Sequence, residues 1–169
     1  MKILIAPALF FFLSATAISQ GNYAGTEFKK LIETGFTDEN NIAGLEEYQL
    51  HESTLLNRID DPERLFLNVY SKGSARVVLF TVLTDTVAFT FKVLDVLHLK
   101  SVRKELEFKS VTCRRDKIEN SQILALVKTA EKEYFTDIKK AWICDWEKRR
   151  FRAIPVKGID CLNEGYEQF

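Results

Sequence analysis

Arg76 to Leu99 reads RVVLFTVLTDTVAFTFKVLDVLHL, and this stretch decides the fold. Its Val, Thr and Phe residues suit a pleated, half-buried surface. Val77, Leu79 and Leu83 fall on one side at period two, and Val78, Phe80 and Val82 on the other. Apolar residues on both sides predict a central strand that is covered twice. Thr84-Asp85-Thr86 breaks the run, and Val87, Phe89, Phe91 and Val93 lead a return strand. Asp85, Lys92 and Asp95 interrupt the segment, and each is costly in lipid, so it does not read as a membrane span.

Upstream, Leu65, Leu67 and Val69 alternate, and Lys72-Gly73-Ser74 turns the chain into the central strand. Asp61 with Pro62 would also suit a helix start, but the alternation favours the strand. Tyr48 and Leu50 suggest one more short strand. Thr26 to Gly35 predicts a helix: Thr26 caps it, Phe28, Leu31 and Ile32 share a face, and Gly35 ends it.

Downstream, Glu105 to Cys113 alternates, with Leu106 and Phe108 on its dry side. Asp116-Lys117-Ile118-Glu119 matches a capping box, and Ile123, Leu126, Val127, Ala130 and Tyr134 follow at helical spacing. Ile138 to Trp146 and Phe151 to Val156 form a closing hairpin, with Pro155 placing the second strand at an edge. Gly158 to Phe169 reads as an irregular tail. The expected class is α+β, an antiparallel sheet of about five to seven strands with two helices packed mainly on one side. In element order this resembles the cystatin-like and nuclear-transport-factor-like domains. No motif residue is shared, so the resemblance implies no function.

The chain has 169 residues. Met1 to about Ser19 has the form of a signal peptide: Lys2, an apolar run from Ile3 to Leu13, then small residues at Ala15-Thr16-Ala17 or Ala17-Ile18-Ser19. The run is shorter than the roughly 20 residues that cross a bilayer. Residues 20–169 are then expected to form a single domain in the periplasm or outside the cell, with no transmembrane segment. Net charge is +0, yet Gln20 to Asp60 carries 3 basic and 8 acidic residues while Lys100 to Lys157 carries 16 and 9. Such an imbalance cancels when the halves pack together, or it leaves a surface that attracts anions.

Cys113, Cys144 and Cys161 allow three pairings. Cys144 lies between Trp142 and Trp146 on one strand face and reads as a buried small hydrophobe. A Cys113–Cys161 bridge would hold the tail down and contribute on the order of 4 kcal/mol. His51 and His98 have no partner at metal-ligand spacing, and no stretch carries a nucleophile elbow, a phosphate loop or a dinucleotide fingerprint, so neither a metal nor a cofactor is expected. Asp95 inside an apolar strand is the oddest carboxylate: a pocket acid, or the mark of a bulge or of a turn that pairs with Lys100 or Arg103.

The feature that invites a ligand is the basic, aromatic hairpin. Trp142, Trp146, Arg149, Arg150 and Arg152 sit together with Lys148 and Phe151, and Arg114 and Arg115 are candidates to join them. Arginines and aromatics together clamp anions. Export points away from nucleic acid and toward an acidic protein surface, an anionic glycan or a lipid head group. The expected function is an exported, non-catalytic binding or interaction domain. The alternatives are a small hydrolase or isomerase, with Asp95, His98 or His51 as acid or base between helix and sheet, and a secreted inhibitor that uses the hairpin as a wedge.

Overall fold

The two-sided burial of the central stretch sets the layering. A computed structural model describes residues 23–166, so the expected signal peptide lies outside them. The described chain opens with α1 (Gly25–Phe28), which runs into a 3-10 turn at Lys29–Leu31. Five strands follow, β1 (Gly35–Phe36), β2 (Gln49–Leu55), β3 (Arg64–Lys72), β4 (Ala75–Asp85) and β5 (Thr90–Leu99). They form a first sheet in the order β1-β5-β4-β3-β2.

The rest of the chain supplies β6 (Leu106–Lys109), β7 (Cys113–Arg115), β8 (Ile118–Glu119) and β9 (Ile123–Lys128). After these come β10 (Tyr134–Phe135), β11 (Ile138–Asp145), β12 (Arg150–Ile154) and β13 (Ile159–Leu162). They divide between a second sheet, β12-β11-β9-β6, and a third, β10-β13-β7-β8. Neighbours pair antiparallel in all three sheets.

Four layers result. Leu67, Val69, Val78, Phe80 and Leu97 of the first sheet pack against Leu124, Leu126, Trp142, Cys144 and Phe151 of the second. The opposite face of the first sheet, with Tyr70, Val77, Leu79, Phe91 and Val93, lies under Phe28, Leu31, Phe36, Ile42 and Leu45 of the N-terminal segment. The opposite face of the second sheet, with Ile123, Ala125 and Val127, meets Cys113, Phe135, Ile159 and Cys161. Val77, Val78, Leu79 and Phe80 are all 0% exposed, as the two-sided reading of β4 requires. Burying each such side chain stabilises the fold by about 1.5–3 kcal/mol.

The N-terminal cover is fastened by polar groups as well. Asn68 and Thr81, both 0% exposed, would be costly on an apolar face without partners. Thr81 donates to Asn68 Oδ1 at 3.1 Å, and Asn68 Nδ2 donates to Glu39 Oε1 at 2.8 Å and Ser53 Oγ at 3.0 Å. Tyr70 donates its hydroxyl to the Glu39 carbonyl at 2.8 Å. Burial, then the charges of Glu39 and Asp38, push the Tyr70 phenol pKa up, so it remains a donor.

The α+β expectation is overturned, because the described chain is mostly strand and its one helical segment is short. The expected helix after Asp116 is β8 and β9. Ile123 to Val127 are five consecutive buried residues, which a one-sided helix cannot bury. A strand between two sheets buries them alternately, Leu124 and Leu126 on one side and Ile123, Ala125 and Val127 on the other. The residues read as a capping box make the β7–β8 hairpin instead, with φ of 50° at Asp116 and 66° at Lys117. Positive φ at both central residues of a two-residue loop is the signature of a hairpin turn whose twist matches the strands.

The helix expected from Thr26 to Gly35 stops at Leu31, and Gly35 enters β1 rather than capping. Glu33 carries the left-handed turn, at φ 71°. The expected return strand from Val87 begins only at Thr90, leaving Val87 90% and Phe89 60% exposed at the hairpin tip. The expected irregular tail holds β13, which the Cys113–Cys161 disulfide ties to β7 at a directly paired position. Cys144 is free and buried. Pro155 does follow an edge strand, since β12 ends the second sheet.

Candidate functional site

The first and second sheets meet along two seams, and the edge strands there carry free backbone groups that need partners. At the β5–β12 seam, the register of β4 on β5 slips so that Phe80 pairs with Asp95 and Thr81 with Val93. That bulge turns both Leu94 and Asp95 toward the second sheet. Asp95 Oδ2 accepts the Phe151 amide at 2.7 Å, and Oδ1 accepts its neighbour Val96 at 2.8 Å. Next along the edge, the Ala153 amide donates to the Tyr23 hydroxyl at 3.2 Å. Tyr23 in turn accepts the His98 amide at 2.8 Å through its carbonyl. The outward amides of β12 are thus closed by side chains of the opposing layer.

Burial raises the Asp95 pKa above the usual carboxylate value, although the Phe151 and Val96 amides and nearby Arg150 oppose the shift. Its hydrogen bonds are structural ones, made to backbone of the sheet edge.

Beyond this stitch the seam opens into a groove of about 610 Å³. Leu97, Leu99, Trp142, Tyr23, Ile154 and Val156 make it apolar, and Lys100, Lys139 and Lys140 stand at its rim. Trp142 is the floor, 3% exposed and edge-on to Tyr23 with ring centroids 6.4 Å apart. Lys139 pairs with Asp137 at 2.6 Å. Lys100 and Lys140 are exposed and form no ion pair among the described residues. They come from different sheets, one at the end of β5 and the other on β11. An apolar groove of this size with a few polar groups at its mouth has the form of a small-molecule site.

The residues expected to bind a ligand at the hairpin are dispersed. Trp142 faces the groove, whereas Trp146 packs on the core between the sheets. Arg149 grips Glu63 with bonds of 2.6 and 2.8 Å, and Arg152 Nε lies 3.4 Å from Asp145. Arg150 Nε and Trp146 Nε1 are buried without a hydrogen-bond partner among the described residues. Arg114 forms a fork to Asp160 and stacks 3.5 Å over the Tyr134 ring, and Arg115 donates to the Pro155 carbonyl at 2.8 Å.

The candidate acids and bases stay apart. His98 turns away from Asp95 on β5 and lies edge-on to Phe28 under the N-terminal cover, centroids 4.7 Å apart. Its Nδ1 is 3.2 Å from Glu27 Oε1 but lacks hydrogen-bond geometry. Burial lowers its pKa, Glu27 opposes that, and Lys100 adds to it. His51 is exposed on β2, the far edge of the same sheet. Burial pushes the Cys144 thiol pKa up, with Asp95 adding to the shift, so no thiolate nucleophile arises there. Among the described residues no three His, Cys, Asp or Glu side chains are placed to hold a metal.

The second seam, between β2 and β6, is polar. Glu52 accepts Ser110 Oγ at 2.6 Å and Thr54 Oγ1 at 2.8 Å, while Lys109 lies 3.0 Å from Glu107 and 3.4 Å from Glu164. Lys109 bridges Glu107 and Glu164, and Ser110 is only 5% exposed, so this side fastens the sheets.

Sequence reasoning found Trp142 but missed Tyr23, Lys100 and Val156, which lie far apart in the chain and meet only because β5 and β12 face each other. Lys139-Lys140 beside Trp142 was the one local sign of a cationic apolar site. No helix among the described residues is long and apolar enough to cross a membrane. No protein-family model matches the chain, and neither a curated protein nor a solved structure shows significant similarity to it.

Proposed function

We propose that this chain is an exported, non-catalytic binding domain and that the β5–β12 groove holds its ligand. The observation that carries the reading is the groove itself, an apolar floor flanked by lysines from two sheets. Export rests on the signal-peptide form of Met1 to Ser19, and the Cys113–Cys161 bridge suits an oxidising compartment. The absence of any shared hydrogen bond among Asp95, His98 and His51 favours binding over acid–base catalysis.

Trp142 reports on its own groove. In a Trp146→Phe background, small amphiphiles should shift the Trp142 emission, and Val156→Trp, which fills the groove mouth, should abolish saturable binding measured by calorimetry. Binding that is indifferent to the Val156 change would place the ligand elsewhere.

A second reading keeps the hairpin as a docking surface for an acidic protein face. The exposed Lys148 and half-buried Arg150, neither of which forms an ion pair among the described residues, favour it. Affinity purification from the native envelope with wild type and Arg150→Gln as baits tests it, since equal recovery of every partner would remove the hairpin from consideration.

A further inference from the structure

We infer that the groove selects a single-chain amphiphile with an anionic head, carboxylate or phosphate, seated between Lys100 and Lys140 with its tail over Trp142 and Leu97. The inference rests on the proposed binding role of this groove and names the ligand class.

Charge is the first argument. Three ammonium groups ring an apolar surface, and two of them, Lys100 and Lys140, have no counter-ion among the described residues. Asp137 holds Lys139, whereas Glu27 approaches the His98 ring without a hydrogen bond and forms no ion pair with Lys100 or Lys140 among the described residues. A cationic ligand would meet repulsion from all three lysines. A neutral one would leave them with nothing to do beyond solvation.

Shape is the second. Most of the floor is carbon from Leu97, Leu99, Trp142, Ile154 and Val156, and the polar side chains that line it besides the lysines are Tyr23 and His98, whose Nδ1 is buried. The backbone polar groups of the adjoining edge are already used, the Phe151 amide by Asp95 and the Ala153 amide by Tyr23. A sugar would find few hydrogen-bond partners on such a floor, whereas an aliphatic chain needs none. Lys100 and Lys140 come from opposite sheets, so a head between them spans the seam, and its oxygens accept charge-assisted hydrogen bonds from both sides.

The test is calorimetric titration of the full disulfide-bonded protein with laurate, dodecyl phosphate, dodecyl maltoside and dodecyltrimethylammonium, each below its micelle-forming concentration. Two exposed lysine contacts predict that both anions bind roughly tenfold tighter than the maltoside. Lys100→Glu/Lys140→Glu should erase that preference and leave maltoside binding within about twofold. Both positions are exposed, and an unchanged melting temperature verifies that the variant is folded. Equal binding of all four heads, or an anion preference that survives the charge reversal, overturns the ligand class but spares the groove as a binding site. Failure of every chain to bind overturns both. Binding to phosphatidylglycerol vesicles without binding of monomeric laurate or dodecyl phosphate would show a membrane surface to be the target and would overturn the single-molecule ligand.

Discussion

Asp95 shows how one side chain can be decided by an edge. Its carboxylate fills the gap that β12 would otherwise leave at the Phe151 amide. Asp95→Ala should cost about 1–3 kcal/mol in urea denaturation at neutral pH, the penalty of a donor left unpaired. The pH dependence has a definite sign. Because the folded pKa is raised, the ionised form is disfavoured in the native state, and wild-type stability falls as pH rises from the ordinary value of 3.8 through the raised one. Asp95→Ala lacks this component, so its deficit against wild type should be largest at low pH and shrink above that window. A deficit that instead grew with pH would mean that the amide bonds outweigh burial. The sequence made Asp95 conspicuous and left pocket acid and bulge both open. Only the pairing of β4 with β5 placed it in a bulge.

At the scale of elements, the β7–β8 hairpin carries a cost that the sequence hides. Lys117 adopts φ 66° where glycine is the preferred residue. Lys117→Gly should therefore stabilise the protein by about 0.5–1 kcal/mol, read from the denaturation midpoint. Gly158 faces the opposite constraint: its φ is 76°, and a Cβ there would run into the Asp116 carboxylate. Gly158→Ala should destabilise by at least about 1 kcal/mol in the same assay, and wild-type stability would show that the Asp116 side chain can swing away. For the N-terminal cover the relevant group is the Tyr70 hydroxyl. Tyr70→Phe should cost about 0.5–1.5 kcal/mol and speed hydrogen exchange in residues 28–45 ahead of the strands beneath.

Periodicity explains both what was legible among the elements and what was not. In β3 and β4 alternation and two-sided burial were visible, since each apolar position has one destination. At Ile123 to Val127 the same apolar run satisfies a helical count and a strand between two sheets. Only the presence of the third sheet on the far side favours the strand.

At the scale of the whole molecule, stacking spreads the core over three interfaces, and the outermost is the smallest. The third sheet is made of strands of 2 to 4 residues, so its own cohesion depends on the Cys113–Cys161 bridge between β7 and β13. Closing a loop with a sequence separation of 48 contributes about 4 kcal/mol by chain entropy. Cys113→Ala/Cys161→Ala should lose much of that in thermal or urea unfolding. A loss below about 1 kcal/mol would show that β7 and β13 hold together by packing alone.

By itself the sequence determined the order of the apolar and polar segments, the two-sided character of β4, the turn at Gly73, the edge position beside Pro155 and the cysteine most suited to burial. All of these depend on residues within a few positions of one another, where backbone geometry and side-chain chemistry act directly. The number of sheets, the strand identity of β9 and β13, and the groove at the β5–β12 seam were decided only in the tertiary structure. Each depends on which apolar face meets which. Burial is rewarded wherever water is excluded, without regard to distance along the chain, so Tyr23, Lys100, Trp142 and Val156 become neighbours through the stacking of sheets and not through any local pattern.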